Sequence, residues 1–185
     1  MSNDNAIVHC FKLWAKISMM ILDGTRDATS VADVLQGILN QSQQKSAFDP
    51  VYFIGGGWSF AEARNPRSST LGLLDDYSKV KLSTDWLEGM PRVDGETRRT
   101  RIIADRANTP LNTEHFFDLW NNKKKIPKEW KKVEGLITFD GDVLWHTNGF
   151  RYVLCLHWND CKWYWGCVLL GRDWDASNPS AVLAS

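Results

Sequence analysis

The 185-residue sequence is short of cysteine, of long apolar runs and of net charge, and each shortage excludes something. Only Cys10, Cys155, Cys161 and Cys167 occur, with no C-x-x-C pair, so a disulfide scaffold and the familiar zinc and redox motifs are excluded. The stretch Ile17 to Leu22 is too short and interrupted for a membrane span or signal core, and Met1 to Asn5 carry no basic residue. A cytoplasmic protein with no membrane partner is the expectation. Cations and anions balance at 22 each, which removes any whole-molecule basic field for nucleic acid but leaves local patches open. What the chain has in excess is tryptophan. Ten indoles imply either a heavily aromatic core or a surface built for contact.

Hydrophobic spacing divides the chain into a helical beginning and a strand-rich end. Ile7, Cys10, Phe11, Trp14, Ile17 and Ile21 recur at three and four, and Val31, Val34, Leu35, Ile38 and Leu39 repeat the pattern after Ser30 and Asp33. These two helices predict a hairpin over 1–46, linker included, that offers a homo-oligomer contact because neither stripe is covered by its partner alone. Residues 47–185 then form the second unit, an α+β domain with an irregular middle. Asn112 or Thr113 caps a helix running to Trp120, and Ile126 to Trp130 restarts a helical turn. Beyond that the period becomes two. Asp140-Gly141 and Asn148-Gly149 read as hairpin turns, and a four-residue loop, Asn159 to Lys162, joins two alternating strands into an antiparallel meander of about four strands. The even spacing of Cys155, Cys161 and Cys167 places the thiols on one sheet face.

Candidate chemistry is sparse. Gly55-Gly56-Gly57 lacks the Lys-Ser/Thr of a phosphate loop and is followed by Trp58, so it reads as a turn. His146, His157, Asp160, Asp173 and Asp175 are the residues a metal-dependent hydrolase would use, with zinc at His157 and Cys155, Cys161 or Cys167, or calcium at Asp173 and Asp175; none has a recognised spacing. The expectation is therefore no catalytic residue, no metal and no cofactor. Charge is segregated: over residues 98–132 ten cations face four anions, a surplus of six, whereas over 133–185 three cations face six anions. Arg98, Arg99, Arg101, Lys123, Lys124, Lys125 and Lys128 thus make a candidate strip for single-stranded nucleic acid.

From Trp158 onward, bulky residues alternate with small polar ones, a rigid frame carrying exchangeable side chains. Trp158, Asn159, Asp160, Tyr164, Arg172, Asp173, Trp174, Asp175 and Asn178 are the candidate ligand-binding residues, the ligand being a protein or other macromolecule. The segments Asn112 to Trp120, Ile126 to Lys131, Phe139 to Leu144 and Arg151 to Leu156, with the tail Pro179-Ser180-Ala181-Val182-Leu183-Ala184-Ser185, resemble a group of uncharacterised small bacterial proteins. The texture is similar to the variable proteins of diversity-generating retroelements, and Trp158-Asn159-Asp160-Cys161 with Cys167 is similar to the C-type lectin tail. That resemblance implies a C-type-lectin-like fold and a non-enzymatic recognition protein with a variable surface; with no sugar-binding triplet it implies neither calcium nor carbohydrate. Whether the tryptophans form core or contact face stays open at this level.

Overall fold

The chain divides between Ala47 and Phe48, and the computed structural model describes Gly24, Asp27, Thr29, residues 48–61 and residues 65–184. The expected helical hairpin therefore lies outside the described residues.

Between residues 48 and 184, four short helices form where a side chain can cap them. Asp49 accepts from the amides of Val51 and Tyr52 to start α1, Pro50–Phe53, and Asn65 accepts from Arg67 to start α2, Pro66–Thr70; each has proline at its first position. Asp94 caps α3, Gly95–Ala104, through Glu96 and Thr97, and Asn112 caps α4, Thr113–Asn121, through Glu114 and His115. Short 3₁₀ turns occupy Asp85–Leu87, Lys123–Lys125 and Lys128–Lys132.

Among the described residues most of the regular structure is sheet, which corrects the α+β, C-type-lectin-like expectation. Strands β1 (Trp58–Phe60), β2 (Lys81–Ser83), β4 (Asn108–Pro110), β5 (Ile137–His146), β6 (Arg151–Asn159), β7 (Lys162–Leu169) and β9 (Ser180–Ala184) make one seven-stranded sheet, while β3 (Val93–Asp94) and β8 (Asp173–Trp174) pair separately. Its path runs β2-β9-β5-β6-β7, with β1 on β5 and β4 on β9. All pairings are antiparallel except β5 with β9, where Thr138 meets Ser180.

Asp140-Gly141 does not turn the chain. The register between β5 and β6 shifts between Phe139 and Leu144, so a bulge carries β5 onward, and the side of β5 opposite β6 passes from β9 to β1. Backbone pairing resolves the ambiguity of the dipeptide: the Gly141 amide donates to the Leu111 carbonyl at 2.8 Å, and a Cβ there would lie 2.8 Å from Ser68 and Asn112 atoms. The expected four-stranded meander is therefore three strands. Asn148-Gly149 does turn the chain between β5 and β6. The loop between β6 and β7 holds two residues and not four, Asp160 and Cys161, at φ 47° and 59°, the left-handed pair of a type I′ turn.

β6 is buried on both faces. Leu154 and Leu156 enter one core with Phe116, Leu119, Trp130 and Phe139; Val153 and Cys155 enter another with Trp86, Ile102, Val168, Leu170 and Trp174. The thiols do not share a face: Cys155 pairs with Gly166 and Cys167 with Leu154, so Cys167 joins the first core and Cys155 the second. No helix among the described residues is long and apolar enough to cross a membrane.

Gly95 sits where α3 begins against the end of β7, and a Cβ there would lie 1.6 Å from the Leu170 carbonyl oxygen. Gly95→Ala should lower stability by about 1–3 kcal/mol although alanine favours helix, because backbone must move to admit the methyl. Urea unfolding checks this, and a variant as stable as the parent would contradict the packing.

Candidate functional site

Thr138 and Asp140 on β5, Ser180 on β9 and Arg98 on α3 converge in a sealed polar cluster. The Asp140 carboxylate takes two bonds from Arg98, one of them from Nη2 at 2.9 Å, and the hydroxyls of Thr138 and Ser180 each donate to its Oδ2 at 2.7 Å. Arg98 is fully buried, its guanidinium 4.2 Å from the centre of the Trp174 ring and 4.8 Å from that of Trp86. Burial works to raise the pKa of Asp140, but the Arg98 charge and the donated hydrogen bonds outweigh it and hold the carboxyl below its ordinary value. Asp142 is spent locally, accepting from the Thr113 amide and hydroxyl. The carboxylate of Asp140 and both terminal guanidinium nitrogens are partnered within the cluster, and only the buried Arg98 Nε is left without a partner, so the role of these groups is to hold the frame.

The candidate ligand-binding residues are split by this frame. Trp174 is fully buried, its Nε1 donating to the Leu170 carbonyl at 3.0 Å, and cannot belong to a displayed surface. Asn178 is buried too, bonding Asp175 and Ser177, and the Asp175 carboxylate is held by Ser177 and Asn178. These bonds, those of Ser177 foremost, keep Asp175 below its usual carboxylate range. Arg172 and Asp173 are exposed at one end of the β6–β7 hairpin; Trp158, Asn159, Asp160 and Tyr164 lie toward the other. The pairs Tyr152–Leu169 and Trp158–Trp163 are six positions apart along each strand, about 20 Å.

At the turn end, Tyr164 is 40% exposed and stacks on its cross-strand partner His157, with ring centres 5.3 Å apart and planes 16° from parallel. His157 Nδ1 is shielded from solvent and has no hydrogen-bond partner. Asn159, Asp160 and Lys162 extend this face into solvent. His157 was legible in sequence only as a metal candidate; its stacking depends on the hairpin register.

The basic candidates divide as well. Arg98 is interior, which removes it from any surface strip, because its charge is consumed by Asp140. Arg101 is half-buried and donates to the Trp86 and Leu87 carbonyls at 2.9 and 3.2 Å, with Glu88 at 3.1 Å; Arg99 is also half-buried. Lys125 bonds Asp118 and the Leu74 carbonyl, whereas Lys123, Lys124 and Lys128 are exposed.

The hydrolase candidates do not converge. His146 lies against Trp58 at 4.7 Å, beyond the far end of β6 from His157. Burial pushes both the Cys155 and Cys167 thiols up to about 12, which keeps them protonated at neutral pH. Among the described residues no three histidine, cysteine or acidic side chains are placed to hold a metal ion. One feature escaped the sequence altogether, a cleft of about 490 Å³ between α3, the Asp85–Leu87 turn, β4 and β9, walled by Trp86, Arg101, Asp105 and Val182. Its walls come from four separate segments, so no local pattern announces it, and its charged groups Asp85, Glu88, Arg101 and Asp105 are engaged by neighbouring residues.

No protein-family model, curated protein or solved structure matches the chain.

The sealed cluster has two measurable consequences. Arg98→Ala should destabilise by about 3–5 kcal/mol because it strands a buried carboxylate, while Arg98→Met with Asp140→Leu should lose less; urea unfolding of single and double variants measures the difference. Since the folded pKa of Asp140 is depressed, its stabilisation is complete above the unfolded value of about 3.9 and is lost as pH falls through the folded value. Asp140→Asn should therefore flatten the fall in stability below about pH 4, and an unchanged acid slope would contradict the assignment.

Proposed function

We propose that the chain is a non-enzymatic recognition protein that contacts a protein or other macromolecular ligand through the turn end of the β6–β7 hairpin. The observation that carries this reading is the exposed Tyr164 ring stacked on His157, bordered by Asn159 and Lys162, on a hairpin anchored by two cores. An aromatic ring already held by a partner loses little conformational freedom on binding, and neighbouring amide and amine groups adapt to many surfaces. The buried residues Trp174, Arg98 and Asp140 belong to the frame, and Asp160 serves the turn, where its positive φ suits aspartate, asparagine or glycine. Arg172 and Asp173, at the other end, stand apart from this patch.

Such an arrangement suits exchange of contact residues, as in the variable proteins of diversity-generating retroelements. Two measurements test it. Substituting Asn159 and Lys162 should change stability by no more than about 0.5 kcal/mol each and Tyr164, which loses the stack, by about 0.5–1.5 kcal/mol, and paralogues from one genome should vary at these positions while keeping Arg98, Asp140 and Trp174. Loss of folding in most such variants, or variation spread evenly over frame and tip, would overturn the reading.

A further inference from the structure

On the face of β7 opposite Tyr164, four tryptophans form a row that no single stretch of sequence displays. Trp120, near the end of α4, lies 6.4 Å from Trp165, and Trp158 packs edge-on against Trp163 at 5.2 Å. Trp163 and Trp165 are two positions apart on β7 and so share a face, about 7 Å from each other. The two ends of the row carry lysines. The Lys123 ammonium stands 3.7 Å from the centre of the Trp120 ring, and that of Lys131 stands 4.0 Å from the centre of Trp158.

A lysine over an indole marks a ring face that the core has not filled. Both rings are only half-buried, and both lysines are exposed. Around them the charge is of one sign: residues 122–132 contain six lysines and a single acid, Glu129, and Lys124, Lys128 and Lys132 are exposed beside Lys123 and Lys131. Across the hairpin turn Lys162 adds a cation and Asp160 an anion.

We propose that this row binds single-stranded nucleic acid, with bases stacking on the outer faces of Trp120 and Trp158 and phosphates taken by Lys123, Lys124, Lys128 and Lys131. A base placed on either indole displaces only a flexible lysine, whose ammonium turns from the ring to the phosphate of the same nucleotide, so the charge keeps a partner throughout. Stacking requires unpaired bases, which a duplex does not present, and an acidic peptide satisfies the lysines but leaves the indole faces unused. The basic strip read from the sequence is thereby moved: its arginines belong to the frame, and its lysines work with Trp120, just before them in the chain, and with Trp158 on the distant β6.

The test uses the full chain with labelled RNA and DNA oligonucleotides of about 12 nucleotides, followed by fluorescence anisotropy and intrinsic tryptophan emission. Binding should quench the emission and weaken steeply between about 50 and 200 mM salt. Lys123→Glu with Lys131→Glu, both at exposed positions, should reduce affinity at least about tenfold and lower the log–log salt slope by about 1.4, the share of two phosphates on a single strand. Phe150→Ala, at an exposed aromatic that belongs to neither surface, should leave binding unchanged. The proposal is overturned by any of three results: no binding at the lowest salt, binding indifferent to the double variant, or equal affinity for a duplex or a polyglutamate peptide without quenching.

Discussion

The ion pair of Arg98 with Asp140 is the constraint around which the described fold is arranged. A guanidinium withdrawn from water is tolerated only where charge, hydrogen bonds and ring faces replace its hydration. Asp140 supplies the charge, Thr138 accepts from Nη2 at 2.7 Å, and Trp86 and Trp174 supply the faces. Because these partners come from α3, β5, β8 and the turn before β3, satisfying one cation joins elements far apart in sequence. The bulge in β5 follows from the same demand, since the strand must place Asp140 toward Arg98 and Asp142 toward Thr113 while Gly141 lies close beneath Ser68.

A frame fixed in this way leaves the turn end of the β6–β7 hairpin free for contact. Its core residues alternate into two separate clusters; Tyr164 belongs to neither, whereas Trp163 is part of the first and Trp120, Trp158 and Trp165 flank it. On one face stands the Tyr164–His157 stack, and on the other the row from Trp120 to Trp158 with its lysines. Both surfaces use aromatic rings held by neighbours, which lowers the entropy cost of binding. They differ in charge environment, and that difference separates a patch suited to mixed polar contacts from one suited to polyanions.

Legibility of the chain varied with how local each signal was. Asn112 as the cap of a helix through the Trp120 region, the turn at Asn148-Gly149 and the alternation along β6 and β7 were readable because neighbouring residues carry the whole pattern. Asp140-Gly141 was misread as a turn because the dipeptide preference is weaker than the pairing of β5 with β6, β9 and β1. The short tail strand β9 was invisible, since five residues, Ser180–Ala184, carry no distinctive period and owe their conformation to β2, β4 and β5 on either side. The even spacing of cysteines misled for a related reason: the two-residue turn after β6 offsets Cys167 from Cys155 by one register step.

The sequence by itself determined that half the tryptophans lie between Trp145 and Trp174, that basic residues gather before Val133, and that strands dominate the end of the chain. Composition and period suffice for those statements. Only the tertiary structure decided which of these residues meet water, because burial is set by partners distant in the chain. Trp174 and Arg98 bury each other, Tyr164 is lifted into solvent by its register with His157, and Lys131 reaches Trp158 across a 3₁₀ turn. Local spacing is blind to such meetings, which depend on how strands and helices close upon a common core.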